Sequence, residues 1–323
     1  MICNFCHSAV VGRYTQWQEG TVSCQACQAT LPACRGCGLP VRQRKVGWLK
    51  RVFSGQAKSA PVCERCNASA VRCSACDDPI VESYTQEVDG GRRFCAACSG
   101  SADQCDFCAV PVAKGAHRYS DGRRSCAVCR ATAIAKLKQA RPLIADARSF
   151  LTGRLQMPLR PESECEVKLV SARQLAKRLG KQFRSSPGYD HREKGLFTSN
   201  VSQRRQGDTV ISETCDLAIY VETGLPRIEC YGVLVHEFVH LWQFDAFPRH
   251  DVDRQLVEGL AEWARHRALM EMGATTSARR VERNDDPIYG GGFRLVRDLE
   301  GRYGYRDMVR MVTERARDGQ RGR

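Results

Sequence analysis

Sixteen of the 19 cysteines lie before residue 130, and they stand as eight Cys-x-x-Cys pairs. The pairs are Cys3/Cys6, Cys24/Cys27, Cys34/Cys37, Cys63/Cys66, Cys73/Cys76, Cys95/Cys98, Cys105/Cys108 and Cys126/Cys129. Between them lie 17, 6, 25, 6, 18, 6 and 17 residues, a long gap alternating with a short one. A Cys-x-x-Cys knuckle turns two thiolates to one side of a tight turn, and two knuckles supply the four sulfurs of a closed tetrahedral zinc site. The alternation predicts that the pairs flanking each long gap share one ion, which gives four structural Zn2+ sites. A disulfide framework would need an oxidising compartment. The chain opens Met1-Ile2-Cys3, with no basic stretch leading into an apolar one, so a cytoplasmic location with reduced thiols is expected. A redox dithiol is a single Cys-x-x-Cys on a βαβ unit, not eight in an array. His7 follows Cys6 and could replace a thiolate, but four cysteines already fill that module.

The array repeats internally. Cys34-Arg-Gly-Cys37-Gly-Leu-Pro40-Val41, Cys73-Ser-Ala-Cys76-Asp-Asp-Pro79-Ile80 and Cys105-Asp-Phe-Cys108-Ala-Val-Pro111-Val112 share one pattern. Asp89-Gly90 and Asp121-Gly122 precede later knuckles, and Asp-Gly is a hairpin-turn signal. Residues 1–130 therefore read as four small β-hairpin modules. Units this small bury too little apolar surface to fold alone, so metal binding supplies their folding free energy.

The formal net charge of +14 would suggest a nucleic-acid or anionic membrane partner. Each Zn2+ held by four thiolates carries a net −2, so four such sites lower the sum to +6. One basic segment, Arg42 to Phe53, interleaves cations with Trp48, Leu49, Val52 and Phe53. A nucleic-acid or partner contact there is the alternative to a solvated loop. No run of about 18 apolar residues occurs, so no membrane span is expected.

Beyond Cys129 the composition shifts. Residues 131–155 are rich in Ala, Lys, Leu and Arg at helical spacing and read as a helical connector that Pro142 should kink or split. Residues 156–323 are long enough for a core of their own. Glu166–Val170 and Asp216–Val221 read as strands, Ser171–Leu179 as a capped helix ended by Gly180, and Asp190–Asp208 as loops with a short strand. From Tyr231 to Phe244 the pattern is helical.

That helix carries His236-Glu237-Phe238-Val239-His240. Histidines four apart project from one face and can share a metal, and Glu237 is placed to take a proton from metal-bound water. A helix starting near Asp253 brings Glu258 as a third ligand and Glu262, one turn later, to accept a ligand histidine's free N–H. Two His and one Glu leave a position open for water, as a catalytic zinc requires. Tyr289, Arg294 and His266 are candidates for stabilising an oxyanion. Tyr289 lies in Pro287-Ile-Tyr-Gly-Gly-Gly-Phe293, which reads as a flexible turn able to approach a cleft. Cys165, Cys215 and Cys230 read as small buried apolar residues.

Taken together, Gly224-Leu-Pro-Arg227, His236-Glu-x-x-His240, Glu258-Gly259 and Asp286-Pro-Ile-Tyr-Gly-Gly-Gly-Phe-Arg294 resemble the peptidase domain of the DA-one family, the LIM-domain, ubiquitin-activated peptidases that regulate plant organ size. The resemblance covers roughly residues 165–315 and points to a microbial relative. It implies a gluzincin-type zinc peptidase, with His236, His240 and Glu258 as ligands and Glu237 as catalyst, behind LIM-like zinc modules. The linkers here are six residues long and all module ligands are Cys, where a LIM domain usually has a His ligand and a two-residue linker. Ubiquitin would be a partner by the same resemblance, although the sequence has no acidic, Ala- and Ser-containing ubiquitin-interacting helix.

The expected molecule is an α+β protein. Its HExxH metallopeptidase domain follows an array of zinc-ribbon or LIM-like modules, with one catalytic and four structural Zn2+. The array would recruit or regulate protein substrates. The rival reading is a zinc-ribbon scaffold that binds nucleic acid or protein beside an inactive peptidase fold.

Overall fold

A computed structural model describes residues 1–17, 20–42, 61–86, 91–100, 103–112, 117–183, 192–206, 209–247 and 252–318. The basic segment after Arg42 and the Asp89-Gly90 turn lie outside the described residues. The chain divides into two compact units. One holds residues 1–105, 109–118 and 124–126; the other holds 106–108, 119–123 and 127–323.

The first unit is a series of hairpins. Tyr14–Gln16 pairs antiparallel with Val22–Cys24, Tyr84–Gln86 with Arg93–Cys95, and His117–Arg118 with Arg124–Ser125. Each opening knuckle is followed by a residue in the left-handed region: His7 (φ 59°), Gly38 (φ 75°), Asp77 (φ 61°) and Ala109 (φ 58°). Their amides close tight turns onto the carbonyls of Cys3, Cys34, Cys73 and Cys105 at 2.8–2.9 Å. His7 thus occupies a turn position common to all four modules.

Elements of the second unit are numbered from its helical connector. Helix α1 (Leu137–Ser149) is not split at Pro142 and continues as a π-helical turn, Phe150–Arg154. Its buried stripe of Ala140, Leu143, Ile144 and Ala147 packs on the core, and that tertiary burial outweighs the cost of the interior proline. Strand β1 (Cys165–Val170) leads to α2 (Ala172–Arg178), where Ser171 and Gln174 form a reciprocal capping box. Strands β2 (Gly195–Gln206) and β3 (Thr209–Glu222) make a long antiparallel ladder with a bulge at Arg204/Arg205, and β1 joins β3 in parallel, giving the order β1-β3-β2. Residues 195–206 are thus one extended strand, not loops with a short strand. Their polar alternation hides the strand from a reading by hydrophobicity, and pairing along all of β3 supplies what the side chains do not.

Helix α3 (Arg227–Ala246) is buried from Glu229 to Phe238 almost without interruption, because α1, β2 and the next helix cover it. Helix α4 (Arg254–Glu271) begins where the Asp253 side chain accepts the Gln255 amide at 2.9 Å. Helices α5 (Thr275–Glu282), α6 (Tyr289–Tyr303) and α7 (Tyr305–Asp318) follow. The architecture is mixed α and β. Among the described residues no helix is long and apolar enough to cross a membrane.

Candidate metal centre

Sixteen cysteines gather as four groups: Cys3/Cys6/Cys24/Cys27, Cys34/Cys37/Cys63/Cys66, Cys73/Cys76/Cys95/Cys98 and Cys105/Cys108/Cys126/Cys129. None of the sixteen is joined in a disulfide, and the sulfurs of each group lie within 4.8 Å of one another. The separations Cys6–Cys24, Cys37–Cys63 and Cys76–Cys95 are 3.8, 3.7 and 3.9 Å. Four sulfurs placed tetrahedrally about a zinc at the usual bond length stand about 3.8 Å apart. Backbone amides also converge on the first sulfur of a group. Phe5 and Cys24 donate to Cys3 Sγ at 3.4 and 3.3 Å, and Gly36 and Cys63 to Cys34 Sγ at 3.4 and 3.2 Å. Burial opposes ionisation of these two thiols, but the donated amides pull each down to about 6, ready to be a thiolate. The residues present fit Zn2+.

A fifth group lies on the second unit. Helix α3 puts His236 and His240 one turn apart on one face, and α4 brings Glu258 against them. His236 Nε2 and His240 Nε2 are 3.0 Å apart, and Glu258 Oε2 is 3.4 and 3.3 Å from them. Tetrahedral N and O ligands of a zinc lie about 3.3 Å from each other, so this triangle has the dimensions of three ligands around one ion. Glu258 Oε2 is buried and accepts no hydrogen bond within the described residues. The cage favours positive charge: burial opposes it, but Glu258 and Glu262 lift His236 to about 10.

The outer ring nitrogens are held from behind. His236 Nδ1 lies 3.0 Å from Glu262 Oε1, and His240 Nδ1 lies 2.7 Å from Gln243 Oε1. Gln243 in turn donates to the Val257 carbonyl at 2.8 Å, so it ties α3 to α4. Glu262 accepts from Arg265 at 3.2 Å; Arg265 also reaches Glu229 at 3.2 Å, and Lys194 donates to Glu229 at 2.8 Å. Sequence reading found Glu262 by its one-turn spacing from Glu258. It missed Gln243, Arg265, Glu229 and Lys194, whose roles depend on contacts between elements.

Glu237 is buried beside the triangle. Burial raises its pKa above the ordinary carboxylate value against the pull of His236 and His240, and the Phe197 amide faces it. Strand β2 comes so close that a Cβ on Gly195 would lie 2.4 Å from Glu237 Oε1. The group opens into a cleft of about 650 Å3, lined also by Phe197, Phe244 and Tyr289.

The structure brings Tyr289 to this cleft, its ring centroid 6.3 Å from that of His236. Burial and the nearby negative charge of Glu258 keep its hydroxyl protonated, and Arg254 hydrogen-bonds to it. Tyr289 is not on a flexible turn. It opens α6, whose first amides at Ile288 and Tyr289 are capped by Asp286 Oδ1 at 2.8 and 2.9 Å. The glycines that suggested flexibility serve packing: a Cβ on Gly292 would lie 2.2 Å from the Gln255 carbonyl, and one on Gly259 would lie 2.4 Å from Gly292. His266 is carried elsewhere, its Nε2 on Glu282 at 2.8 Å and its ring against Phe293. Arg294 donates to the Asn284 carbonyl at 2.9 Å from an exposed position.

Residues 198–319 match the family described as peptidase of plants and bacteria. The chain is also 23% identical, over 244 residues, to Protein DA1 of Arabidopsis thaliana. That alignment covers 60% of this chain and 44% of the relative, so the chain spans less than half the relative's length. No solved structure matches the chain. Both comparisons agree with the resemblance carried by the motifs: the chain is DA1-like, and its residues 198–319 are similar to a peptidase family of plants and bacteria.

Proposed function

We propose that the protein is a zinc-dependent metalloendopeptidase of the HExxH-plus-Glu, gluzincin type. The observation that carries this is the triangle of His236, His240 and Glu258 donor atoms, 3.0–3.4 Å on a side, with Glu237 buried beside it at the floor of a cleft. A Zn2+ held there supplies Lewis acidity toward a peptide carbonyl and lowers the pKa of water toward ~7. Glu237, its pKa raised by burial, takes the proton from the attacking water and returns it to the leaving amine. Tyr289, kept protonated, donates to the oxyanion that develops. Gln243 and Glu262 fix the two imidazoles and their tautomers. Protein substrates follow from this chemistry. The four cysteine modules, rigid once metal-bound, hold a substrate or partner for the cleft, with ubiquitin one such partner by resemblance.

The test is cleavage of an unfolded protein substrate by the full chain. Wild type cleaves, and Glu237→Gln keeps its metal while losing about 10²–10⁴-fold in rate. In the same assay Cys73→Ser slows cleavage of a folded substrate more than that of a short peptide. Equal cleavage by wild type and Glu237→Gln, or none by a fully metallated wild type, contradicts the peptidase reading. Equal slowing of both substrates contradicts recruitment by the modules.

A further inference from the structure

The cleft wall beside Glu237 is the segment from Arg192 to Phe197, and a line of buried charges ends on it. Arg123 is 3% exposed and Glu222 is wholly buried, and the two form an ion pair. Glu222 gives its carboxylate to Arg192 as well, Oε1 accepting from the Arg192 Nη2 at 2.8 Å, with a second, shorter bond from Nη1 to Oε2. The Glu222 amide donates to the Lys194 carbonyl at 3.0 Å. One glutamate at the end of β3 thus holds the segment leading into β2 by both side chain and backbone. Arg123 is held in its turn by Asp121, at 2.9 Å from Nε and 2.8 Å from Nη2. Both its terminal nitrogens also donate to the Thr223 carbonyl at 3.1 Å. The Tyr119 hydroxyl donates to the Gly224 carbonyl at 3.3 Å, and the Arg123 guanidinium stacks on the Tyr119 ring at 4.8 Å.

The segment held in this way touches the reacting groups. Gly195 is packed onto Glu237, the Phe197 amide faces the Glu237 carboxylate, and Lys194 pairs with Glu229 in the network that reaches Glu262 and His236. A buried carboxylate between two guanidiniums has few acceptable arrangements, because removing one partner strands charge away from water. That makes it a stiff strut, where an apolar contact would permit sliding. The guanidinium fork matters too: lysine supplies the charge but not the paired donors.

We propose that Arg123, a residue of the stretch between Cys108 and Cys126, is a positioning residue for the catalytic base. Through Glu222 and Arg192 it sets where residues 192–197 stand against Glu237. This rests on the peptidase reading, and the test separates the two. Full-length wild type, Arg123→Met and Arg123→Lys are compared by amide hydrogen exchange, zinc content and peptidase kinetics. In Arg123→Met the amides of 192–197 exchange about ten-fold faster or more while those of α3 keep their protection. All five metal equivalents are retained, and kcat falls by about 10²-fold with KM changed far less. Arg123→Lys lies between the two. Protection of 192–197 and kcat both within two-fold of wild type overturn the proposal, as does a loss of protection spread over the whole second unit with zinc lost. If Arg123→Met does not fold, Arg123→Lys is read by the same criteria. If wild type cleaves nothing, the peptidase reading fails, and hydrogen exchange alone decides whether Arg123 positions the segment.

Discussion

Gln243 shows how much of the centre rests on residues that offer no ligand atom themselves. Its amide spans from His240 Nδ1 to the Val257 carbonyl, so one side chain orients an imidazole and fixes α3 against α4. Gln243→Leu should keep the fold but weaken catalytic-site zinc by about 10–100-fold, measured by competition with a chelator while the cysteine-bound ions stay in place. Unchanged affinity would remove Gln243 from the account. Glu229 makes a second case. Burial opposes its ionisation, but Lys194 and Arg265 outweigh that and depress its carboxyl to about 2 from an ordinary 4.5. Its contribution to stability is therefore complete above about pH 4.5 and is lost as the pH falls toward 2. Lys194→Met should cost about 3 kcal/mol in urea unfolding at neutral pH and move acid unfolding to higher pH. An unmoved acid midpoint would contradict the pairing. The sequence shows His236, Glu237 and His240 on one helix, and Glu258 and Glu262 on the next, because helical spacing groups each set on its own helix; the packing of the two helices joins the sets. It does not show Lys194 or Arg265, whose partners lie 35 and 36 residues away across the fold.

At the scale of elements, the crossing of α4 and α6 decides whether Glu258 reaches the histidines. Gly259 and Gly292 let the two backbones touch, since a Cβ on either would overlap the other helix at 2.2–2.4 Å. Neither alternative conformation nor flexibility is needed to explain them; neither residue has a positive φ. Gly292→Ala should force the helices apart, cost about 1–3 kcal/mol, and lower occupancy of the catalytic zinc while leaving the four cysteine sites filled. Melting curves and metal analysis read both effects, and full occupancy would contradict the crossing's role. Reading glycines as a loop is the natural error here, because composition does not distinguish a glycine needed for a turn from one needed for close packing. The same limit hid β2, whose Ser, Gln and Arg content resembles a loop until pairing with β3 is known. The N-cap of the Ser171 helix and the helix start near Asp253 were legible because the contacts that make them, Gln174 N to Ser171 Oγ and Gln255 N to Asp253 Oδ1, are each completed within one turn.

For the whole molecule, cysteine spacing alone groups sixteen residues into four sets, and the structure gathers the same four. What spacing does not reveal is where the units divide. Residues 106–108 and 119–123 belong with the second unit, where Arg280 donates to the Phe107 and Cys108 carbonyls at 3.3 and 2.8 Å. Truncation at residue 130 would therefore remove part of the second unit together with the modules, and point substitutions in the full chain are the cleaner probe. The central claim is that one ion sits among His236, His240 and Glu258 in addition to four among the cysteines. Native mass spectrometry of the intact protein and of His240→Ala tests it most directly. Five zinc ions in wild type and four in the variant, with both proteins equally folded, are the predicted result. Four in both would contradict the account.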